Sequence, residues 1–306
     1  MSATLPPPPP PPPPPGPPPL SATPPVAMTI AGSDSGGGAG IQADLKAFAA
    51  HRVHGTSAIA ALTAQNTTEV RSVRPTPPLM LRAQIEAVLD DMEVRGVKTG
   101  MLATVHNVRV VANIAAAGRL RGLVVDPVMV SSTGARLLDP EAEESYADLL
   151  QHATVATPNC REAAVLLEWD KPITTLDQQR VAALALAARF PGVLVVVKGG
   201  DQPEGGDAVI DVEALGSSCV EHRQPRVITT NNHGTGCSFA AAAAAGLAYG
   251  LAPSAATAAA RNYVHRGLQA AAGWRLGRGH GPIDQFADVY FPPALSPQPP
   301  QEPSAP

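Results

Sequence analysis

The sequence predicts an α/β protein whose mostly parallel central sheet is covered by helices on both faces. Four short, mostly apolar runs carry this prediction, at residues 28–30, 123–125, 155–157 and 193–197, and each precedes a stretch of helical composition. The runs are continuously apolar instead of alternating with polar residues, which is typical of strands buried on both faces. Strands that alternate with helices form parallel units, and such sheets bind ligands at the carboxyl ends of their strands.

Proline divides the chain of 306 residues into a domain and two tails. Of 34 prolines, 15 lie in the first 25 positions and seven follow Phe291. We predict one domain at residues 27–291, which is long enough to bury a large core. Disordered proline-rich tails are predicted at residues 1–26 and 292–306.

The first tail contains an unbroken proline run at residues 6–15. Such a run forms an extended polyproline II helix without internal hydrogen bonds, so it lies outside any packed core. It is either a ligand for an SH3, WW or profilin-like domain or an inert tail. We favour the inert tail, because no Arg or Lys flanks the run to specify a partner.

Charge and composition exclude several function classes. The formal net charge is -4 and no basic run occurs, so no nucleic-acid partner is predicted. The longest apolar stretch, at residues 239–251, is shorter than the ~20 residues that span a bilayer, so we interpret it as a buried helix. The odd number of cysteines, three without CxxC spacing, predicts neither disulfides nor a zinc site. No Lys or Arg precedes Lys46, so we expect no targeting segment and a cytoplasmic protein.

The last third of the domain departs from the alternation of strands and helices. Residues 207–212 and 219–227 have the pattern of an antiparallel hairpin that extends the sheet. Two Ala-rich helices are then predicted at about residues 236–250 and 253–272.

A glycine-rich loop, AGSDSGGGAG at residues 31–40, lies between the first predicted strand and a helix that begins near Ile41. Glycines allow sharp turns and close approach of the backbone to a ligand, and a helix start supplies unpaired N–H donors. The loop lacks the Gly-Lys-Ser/Thr end of a P-loop. Its position favours a binding role over a simple linker.

A second loop, Gly234-Thr235-Gly236, precedes the Ala-rich helix that is predicted to start at Phe239. Backbone N–H groups that converge at the positive end of a helix dipole suit a transferring phosphoryl group. The alternative is an ordinary glycine N-cap. Cys237 would lie in the same field, which lowers the pKa of a thiol, unless it is a small packing residue.

Two weaker signals follow predicted strands. Asn159 and Glu162 are three residues apart on the first turn of a helix, where they face the same side and could orient metal-bound water. Lys198 ends an apolar strand, where it could neutralise phosphate charge. The alternatives are a capped helix start for Asn159 and a solvated Lys198.

Taken in order, these motifs resemble those of the hydroxymethylpyrimidine and phosphomethylpyrimidine kinases. The resemblance spans residues 27–286. It is carried by AGSDSGGGAGIQADLK at 31–46, AQNT at 64–67, KTGML at 98–102, DPVM at 126–129, TPN at 157–159, KGG at 198–200 and HGTGC at 233–237. Two departures from the family pattern are Asn232, where Thr is common, and Gln285, where His is frequent.

The resemblance implies a ribokinase-like fold, ATP with Mg²⁺, and a homodimer. It implies transfer of the γ-phosphoryl group of ATP to the hydroxymethyl group of a pyrimidine and then to the resulting monophosphate. By matching motifs, the pyrimidine would be bound by Ala39, Asp44, Gln65, Met101 and Val128. Of these, Asp44 and Gln65 would pair with the ring nitrogens and the amino group.

The resemblance also assigns the phosphoryl end of the site. Gly234, Thr235 and Gly236 would form the anion hole, Lys198 and Asn159 would meet ATP, and Asp126 and Glu162 would position magnesium. Cys237 stands where sugar kinases of the superfamily carry an aspartate base, so it is either a base or a pocket contact. Phosphoryl transfer depends mainly on alignment and charge stabilisation, so a base need not contribute much.

Two other functions compete with this interpretation. Pyridoxal kinases also carry a Gly-Thr-Gly motif. Gln65 and Met101, within the motifs of this chain, favour the pyrimidine. Sugar and nucleoside kinases carry Asp at the position of Cys237, so this chain fits those classes less well. A non-enzymatic adaptor that uses the polyproline run would have lost the catalytic motifs, which are all present.

Overall fold

The computed structural model describes residues 23–129, 140–200, 206–287 and 289. The predicted tails lie outside these residues, apart from residues 23–26. Within the described part the strands are β1 (Val26–Ser33), β2 (His54–Gln65), β3 (Val70–Pro75), β4 (Val94–Thr99), β5 (Leu123–Val125), β6 (Val155–Ala156), β7 (Leu194–Val197), β8 (Ala208–Leu215) and β9 (Ser218–Pro225). The helices are α1 (Gly40–Ala50), α2 (Pro78–Leu89), α3 (Val105–Ala116), α4 (Pro140–Leu150), α5 (Cys160–Leu166), α6 (Leu176–Arg189), α7 (Thr235–Ala248) and α8 (Pro253–Ala271).

The strands form one sheet in the order β3-β2-β1-β4-β5-β6-β7-β8-β9. Neighbours from β2 to β7 pair in parallel. β3 is antiparallel at one edge, and the β8–β9 hairpin is antiparallel at the other. The mostly parallel sheet and the hairpin that extends it are therefore confirmed, whereas β2, β3 and β4 were not among the predicted strands.

Helices cover both faces of the sheet, as predicted. In β7 all four residues are buried, and they alternate between two cores: Val195 and Val197 belong to the core on one face, Leu194 and Val196 to the core on the other. The first core includes residues of α2 to α6, and the second includes residues of α1, α7 and α8. Burial of every residue explains why this strand has no polar alternation.

The alanines of α7 let this helix lie very close to the sheet. A Cβ atom placed on Gly96 in β4 would lie 2.2 Å from the carbonyl oxygen of Ala244, so only glycine fits there. α7, Thr235–Ala248, agrees with the helix predicted at about residues 236–250 and begins four residues before Phe239, the other predicted start. Close packing therefore fixes the first turn of α7 at the carboxyl ends of the central strands. No helix among the described residues is long and apolar enough to cross a membrane.

Candidate active site

A cavity of about 790 Å³ lies at the carboxyl ends of the parallel strands. Twelve of the thirteen site residues proposed from the sequence line it, and Asp44 alone does not. Those that line it are Ala39, Gln65, Met101, Asp126, Val128, Asn159, Glu162, Lys198, Gly234, Thr235, Gly236 and Cys237. Parallel strands end at the same edge of the sheet, so residues far apart in sequence meet there.

The first glycine-rich loop is organised around the carboxylate of Asp34, which is 3% exposed. One oxygen accepts a hydrogen bond from the backbone N–H of Gly36 at 2.8 Å. The other accepts from Gly38 at 3.1 Å and from Ala39 at 2.9 Å. The carboxylate therefore occupies N–H groups that the sequence pattern alone leaves available for a ligand.

Asp34 also joins this loop to the second one. Its Oδ2 lies 2.9 Å from Nε2 of His233, which is buried as well. Burial acts to raise the pKa of Asp34, but the hydrogen bonds from His233 and from the backbone of Ala39 and Gly36 outweigh it and hold that pKa below its ordinary value. Neither residue was predicted as a site residue from the sequence.

Two glycines permit close backbone contacts here, one between the loops at Gly234 and one within the first loop at Gly40. Gly234 has φ +82°, and a Cβ atom on it would lie 1.9 Å from the carbonyl oxygen of Gly38. Gly40 has φ +57°, and a Cβ atom on it would lie 2.4 Å from the carbonyl oxygen of Gly32. Both positions exclude any larger residue, because the positive φ and the backbone contact act together.

The second loop leaves its N–H groups unoccupied by side chains. Gly234 is the N-cap of α7, and no side chain of the described residues caps this helix. The first intrahelical hydrogen bond runs from Ser238 N–H to Gly234 carbonyl. The N–H groups of Gly236 and Cys237 therefore lie in the uncapped first turn, at the positive end of the helix.

Lys198 and Asp126 lie beside this turn. A Cβ atom on Gly236 would lie 3.2 Å from Nζ of Lys198 and 3.7 Å from Oδ2 of Asp126. Lys198 donates to Asp126 Oδ1 at 2.9 Å, and Thr157 Oγ1 donates to the same oxygen at 3.0 Å. Burial alone would lower the pKa of Lys198, but the charges of Asp126 and Glu162 outweigh it and raise that pKa. Lys198 is therefore a cation at neutral pH.

Asn159 and Glu162 form a capping box at the start of α5. Asn159 Oδ1 accepts from the N–H groups of Arg161 and Glu162, both at 2.9 Å. Glu162 Oε2 accepts from Asn159 N–H at 2.8 Å. The capped helix start that the sequence allowed as an alternative is thus present. It holds both side chains on the cavity wall.

The donors around the cavity fit a magnesium ion bound together with a nucleotide. Among the described residues no three His, Cys, Asp or Glu side chains cluster as a metal site. Asp126 and Glu162 nevertheless line the same cavity. Mg²⁺ usually keeps several waters and takes one or two carboxylates together with substrate phosphates. Two carboxylates without a third ligand match this mode of binding.

Asp44 lies behind the cavity wall, where it forms a completely buried ion pair with Lys98. Lys98 Nζ lies 2.8 Å from Asp44 Oδ2, and both side chains are 0% exposed. Thr29 Oγ1 donates to the same oxygen at 2.6 Å. Burial acts to lower the pKa of Lys98, but the charge of Asp44 and of its neighbours raises it. Lys98 and Thr29 both bind Oδ2, whereas Oδ1 of Asp44 is buried and has no hydrogen-bond partner among the described residues. Direct pairing of Asp44 with a pyrimidine therefore stays a prediction.

The prediction of a lowered pKa for Cys237 is wrong. Loss of hydration raises the pKa of this thiol to about 11, although the charge of Lys98 opposes the shift. The negative charges of Asp44 and Asp126 raise it further. The helix field that the sequence suggested is therefore outweighed by desolvation and by nearby carboxylates. Cys237 is a neutral thiol at physiological pH.

The chain is similar to kinases that act on pyrimidines in thiamine biosynthesis. A model of the family "Phosphomethylpyrimidine kinase" matches residues 34–284. A hydroxymethylpyrimidine/phosphomethylpyrimidine kinase of Streptomyces coelicolor is 45% identical over 264 residues, which cover 85% of this chain and 94% of that protein. The thiamine biosynthetic bifunctional enzyme TH1 of Arabidopsis thaliana, described as chloroplastic, is 43% identical. That match covers 86% of this chain but 50% of the plant protein, so the chain spans about half the length of this relative.

Solved structures show the same fold. The pyridoxal kinase of Bacillus subtilis, solved as an ADP complex, aligns with a TM-score of 0.79 at 34% identity. The alignment covers 87% of this chain and 98% of that one. The predicted ribokinase-like architecture is thereby confirmed.

Proposed function

Because this chain belongs to the phosphomethylpyrimidine kinase family, we propose that it phosphorylates 4-amino-5-hydroxymethyl-2-methylpyrimidine and then its monophosphate with ATP, in thiamine biosynthesis. One observation carries the proposal: twelve of the thirteen residues that the motifs single out line a single cavity. The cavity has two chemically distinct ends, which suit an aromatic acceptor and a phosphoryl donor.

The acceptor end combines apolar walls with polar side chains, of which Gln65 would contact the ring directly. Met101 and Val128 pack with Ala61 and Ala103 in a small apolar cluster. Gln65, at the end of β2, brings an amide to this wall. Apolar walls bind the flat ring, and an amide distinguishes hydrogen-bond donors from acceptors on its edge. Asp44 acts on this wall from behind, through Lys98.

The phosphoryl end gathers positive charge and N–H donors. The uncapped first turn of α7, from Thr235 to Cys237, would hold the transferring phosphoryl group, because negative charge is stabilised at this end of a helix. Lys198, beside Gly236, would neutralise the ATP phosphates and align them with the acceptor hydroxyl. Asn159 would contact ATP from the adjoining wall. Asp126 and Glu162 would hold Mg²⁺, which when bound neutralises charge on the phosphate oxygens.

Cys237 is assigned to binding and not to proton removal. A thiol with a pKa of about 11 is protonated near neutral pH and accepts no proton from an alcohol. Alignment and charge stabilisation provide most of the rate of phosphoryl transfer, so the site does not require a base at this position.

A second candidate function is phosphorylation of pyridoxal. The structural similarity to the pyridoxal kinase of Bacillus subtilis, at 34% identity, favours it. Gln65 and Met101, which lie at the acceptor end within the motifs AQNT and KTGML, favour the pyrimidine.

ATP consumption by the full chain with Mg²⁺ tests both candidates. Hydroxymethylpyrimidine, its monophosphate, pyridoxal and ribose are offered separately. We expect turnover of both pyrimidines. Turnover of pyridoxal alone would replace the proposal with the second candidate, and no turnover with any acceptor would refute both.

Three further properties stay predictions. The homodimer rests on the resemblance to the family and is tested by light scattering of the purified chain. Binding of the polyproline run to SH3, WW or profilin-like domains is tested by titration, with no binding expected. The cytoplasmic location is tested by imaging the tagged chain in its own cells.

A further inference from the structure

A row of four polar side chains runs along the acceptor end of the cavity: Asp34, His233, Gln65 and Thr63. His233 Nε2 lies 2.9 Å from Asp34 Oδ2 and 3.4 Å from Gln65 Nε2. Thr63 Oγ1 lies 3.3 Å from Gln65 Oε1. Gln65 is the directional group of the proposed acceptor site, so the orientation of its amide determines which ring edge it recognises.

The proton at the His233 end of the row can be located. Both oxygens of Asp34 already accept backbone N–H groups, from Gly36 on one side and from Gly38 and Ala39 on the other. An ionised carboxylate only accepts hydrogen bonds. His233 must therefore carry a proton on Nε2 and donate it to Asp34. This holds whether the ring is neutral or protonated.

The proton at the Thr63 end can be located in the same way. Thr63 Oγ1 lies 2.8 Å from the backbone carbonyl oxygen of Ser33, which only accepts. The hydroxyl has a single proton, and the carbonyl is its nearer and only obligatory acceptor. Thr63 Oγ1 consequently turns a lone pair towards Gln65.

These two ends require one orientation of the amide between them. With Gln65 Nε2 beside His233, an N–H donor faces an N–H donor, and Oε1 faces the lone pair of Thr63. A half turn of the amide exchanges oxygen and nitrogen, which are nearly equal in size. It replaces the contact between two donors at His233 by a contact between a donor and an acceptor, and it gives Thr63 a donor. Oε1 then faces the N–H of His233 as a second, more distant acceptor of the proton that His233 donates to Asp34 Oδ2, and Nε2 of Gln65 donates to Thr63.

We propose that Asp34 and His233 are positioning residues that fix the amide of Gln65 with Oε1 towards His233 and Nε2 towards Thr63. The proposal rests on the proposed function and deepens it. One amide proton and one oxygen lone pair of Gln65 remain for the ligand, in a fixed order along the wall. An aminopyrimidine offers an amino donor beside a ring-nitrogen acceptor, also in a fixed order, so the row selects this class of alcohol.

The test measures how much the amino group of the substrate contributes in each variant. kcat/KM is determined for hydroxymethylpyrimidine and for its analogue without the amino group, with wild-type enzyme, His233→Leu, Gln65→Leu and the double variant. We expect His233→Leu to lower the ratio of the two kcat/KM values about tenfold, the order expected for one mispaired hydrogen bond. The double variant should be no worse than Gln65→Leu alone, because His233 acts through Gln65.

Gln285→Leu is the matched control. Gln285 Nε2 donates to the carbonyl oxygen of Gly38 at 3.3 Å, so it anchors the same loop without contacting Gln65. The Gln285→Leu substitution should lower kcat/KM by the same factor for both substrates and leave the ratio of the two values unchanged. If His233→Leu behaves like this control, or if the effects of His233→Leu and Gln65→Leu add, the inference is overturned.

A second measurement does not depend on turnover. The ¹⁵N chemical shifts of the His233 ring in the full chain report which nitrogen carries the proton. A proton on Nε2 supports the row, and a neutral ring protonated only on Nδ1 overturns it. Wild-type enzyme that is inactive with hydroxymethylpyrimidine would refute the proposed function and leave this measurement to decide the row. Active wild-type enzyme with an unchanged ratio in His233→Leu would refute the inference alone.

Discussion

The two glycine-rich loops of the cavity look alike in the sequence but differ in what their N–H groups do. In the first loop, the N–H groups of Gly36, Gly38 and Ala39 all donate to Asp34. In the second, no side chain of the described residues caps the turn that contains Gly236. A carboxylate would repel phosphate from the first loop, whereas Lys198, beside the second loop, would attract it. Glycine content therefore indicates where the backbone comes close, and the neighbouring charges decide what binds.

The largest loss of kcat is expected when a carboxylate, like the one that the first loop binds, is introduced into the second loop. Gly236→Asp should lower kcat at least about 1000-fold, because its carboxylate would engage Lys198 and occupy the anion site. A Cβ atom at this position would lie 3.2 Å from Lys198 Nζ. Turnover is measured together with circular dichroism to confirm folding. Gly236→Ala, which adds the Cβ atom without the charge, should retain far more activity, and equal losses in the two variants would contradict the electrostatic explanation.

Removing the cation beside the second loop should have the next largest effect. Lys198→Met should lower kcat/KM for ATP by about 100-fold, since a charge-assisted contact to the phosphates is lost. Lys198→Arg keeps the charge and should recover part of the activity. Steady-state kinetics with varied ATP measure both variants. A loss smaller than about fivefold in Lys198→Met would place the phosphates elsewhere.

In the first loop the expected effect is on stability more than on chemistry. Asp34→Ala removes the acceptor of three backbone N–H groups and of His233, and should lower the free energy of unfolding by about 3 kcal/mol. Urea denaturation measures this difference. KM for the acceptor should rise more than KM for ATP.

The difference in the free energy of unfolding between wild type and Asp34→Ala should decrease as the pH falls. The folded state lowers the pKa of Asp34 from its ordinary value of 3.8, so the stabilisation is present above that pH and is lost as the pH falls through the lower, folded value. Wild type and Asp34→Ala should therefore converge in stability in acid. A constant difference down to the acid transition would contradict the role of the ionised carboxylate.

The smallest effect is expected at Cys237, which lies on the second loop but carries no charge. With a pKa of about 11, its thiol is protonated throughout the neutral range. Alkylation by iodoacetamide at pH 8, followed by mass spectrometry of this residue, should be about 100-fold slower than for an unperturbed thiol. Cys237→Ala should change kcat less than about tenfold. A larger loss, or a kcat profile that rises with the thiol's ionisation between pH 7 and 9, would make it a base.

The local pattern of the sequence predicted six of the nine described strands and most of the residues that line the cavity. The continuously apolar run at residues 194–197 predicts a strand buried on both faces, and the ends of parallel strands must meet at one edge. That rule alone brings Asp126, Asn159 and Lys198 together. β2, β3 and β4 were missed. β3 is a mostly polar edge strand that ends in Pro75, and glycine and polar residues interrupt the apolar signal of β2 and β4.

Relations between distant side chains could not be obtained in this way. Asp34 and His233 are 199 residues apart, and no periodicity links them. For Cys237 the sequence indicates the helix start but not the surrounding desolvation, which decides its pKa. For Asp44 it indicates a polar residue in a family motif but not the buried Lys98 that binds it. The one feature of the sequence that could have suggested an Asp34 cap is an aspartate followed closely by three glycines, which is typical of a side chain that binds the turn behind it.

The buried pair of Asp44 and Lys98 limits the mutational paths open to this protein. Replacing either partner leaves an uncompensated buried charge, at a cost of about 3–5 kcal/mol. Such a loss is a large part of the stability of a typical domain. Most variants in which Asp44 or Lys98 alone is replaced would therefore fold poorly and be degraded in the cell. Replacing both by apolar residues of similar volume is far less costly. The two residues should therefore be inherited as one unit, and a laboratory selection that alters this wall of the cavity will have to change both in the same step.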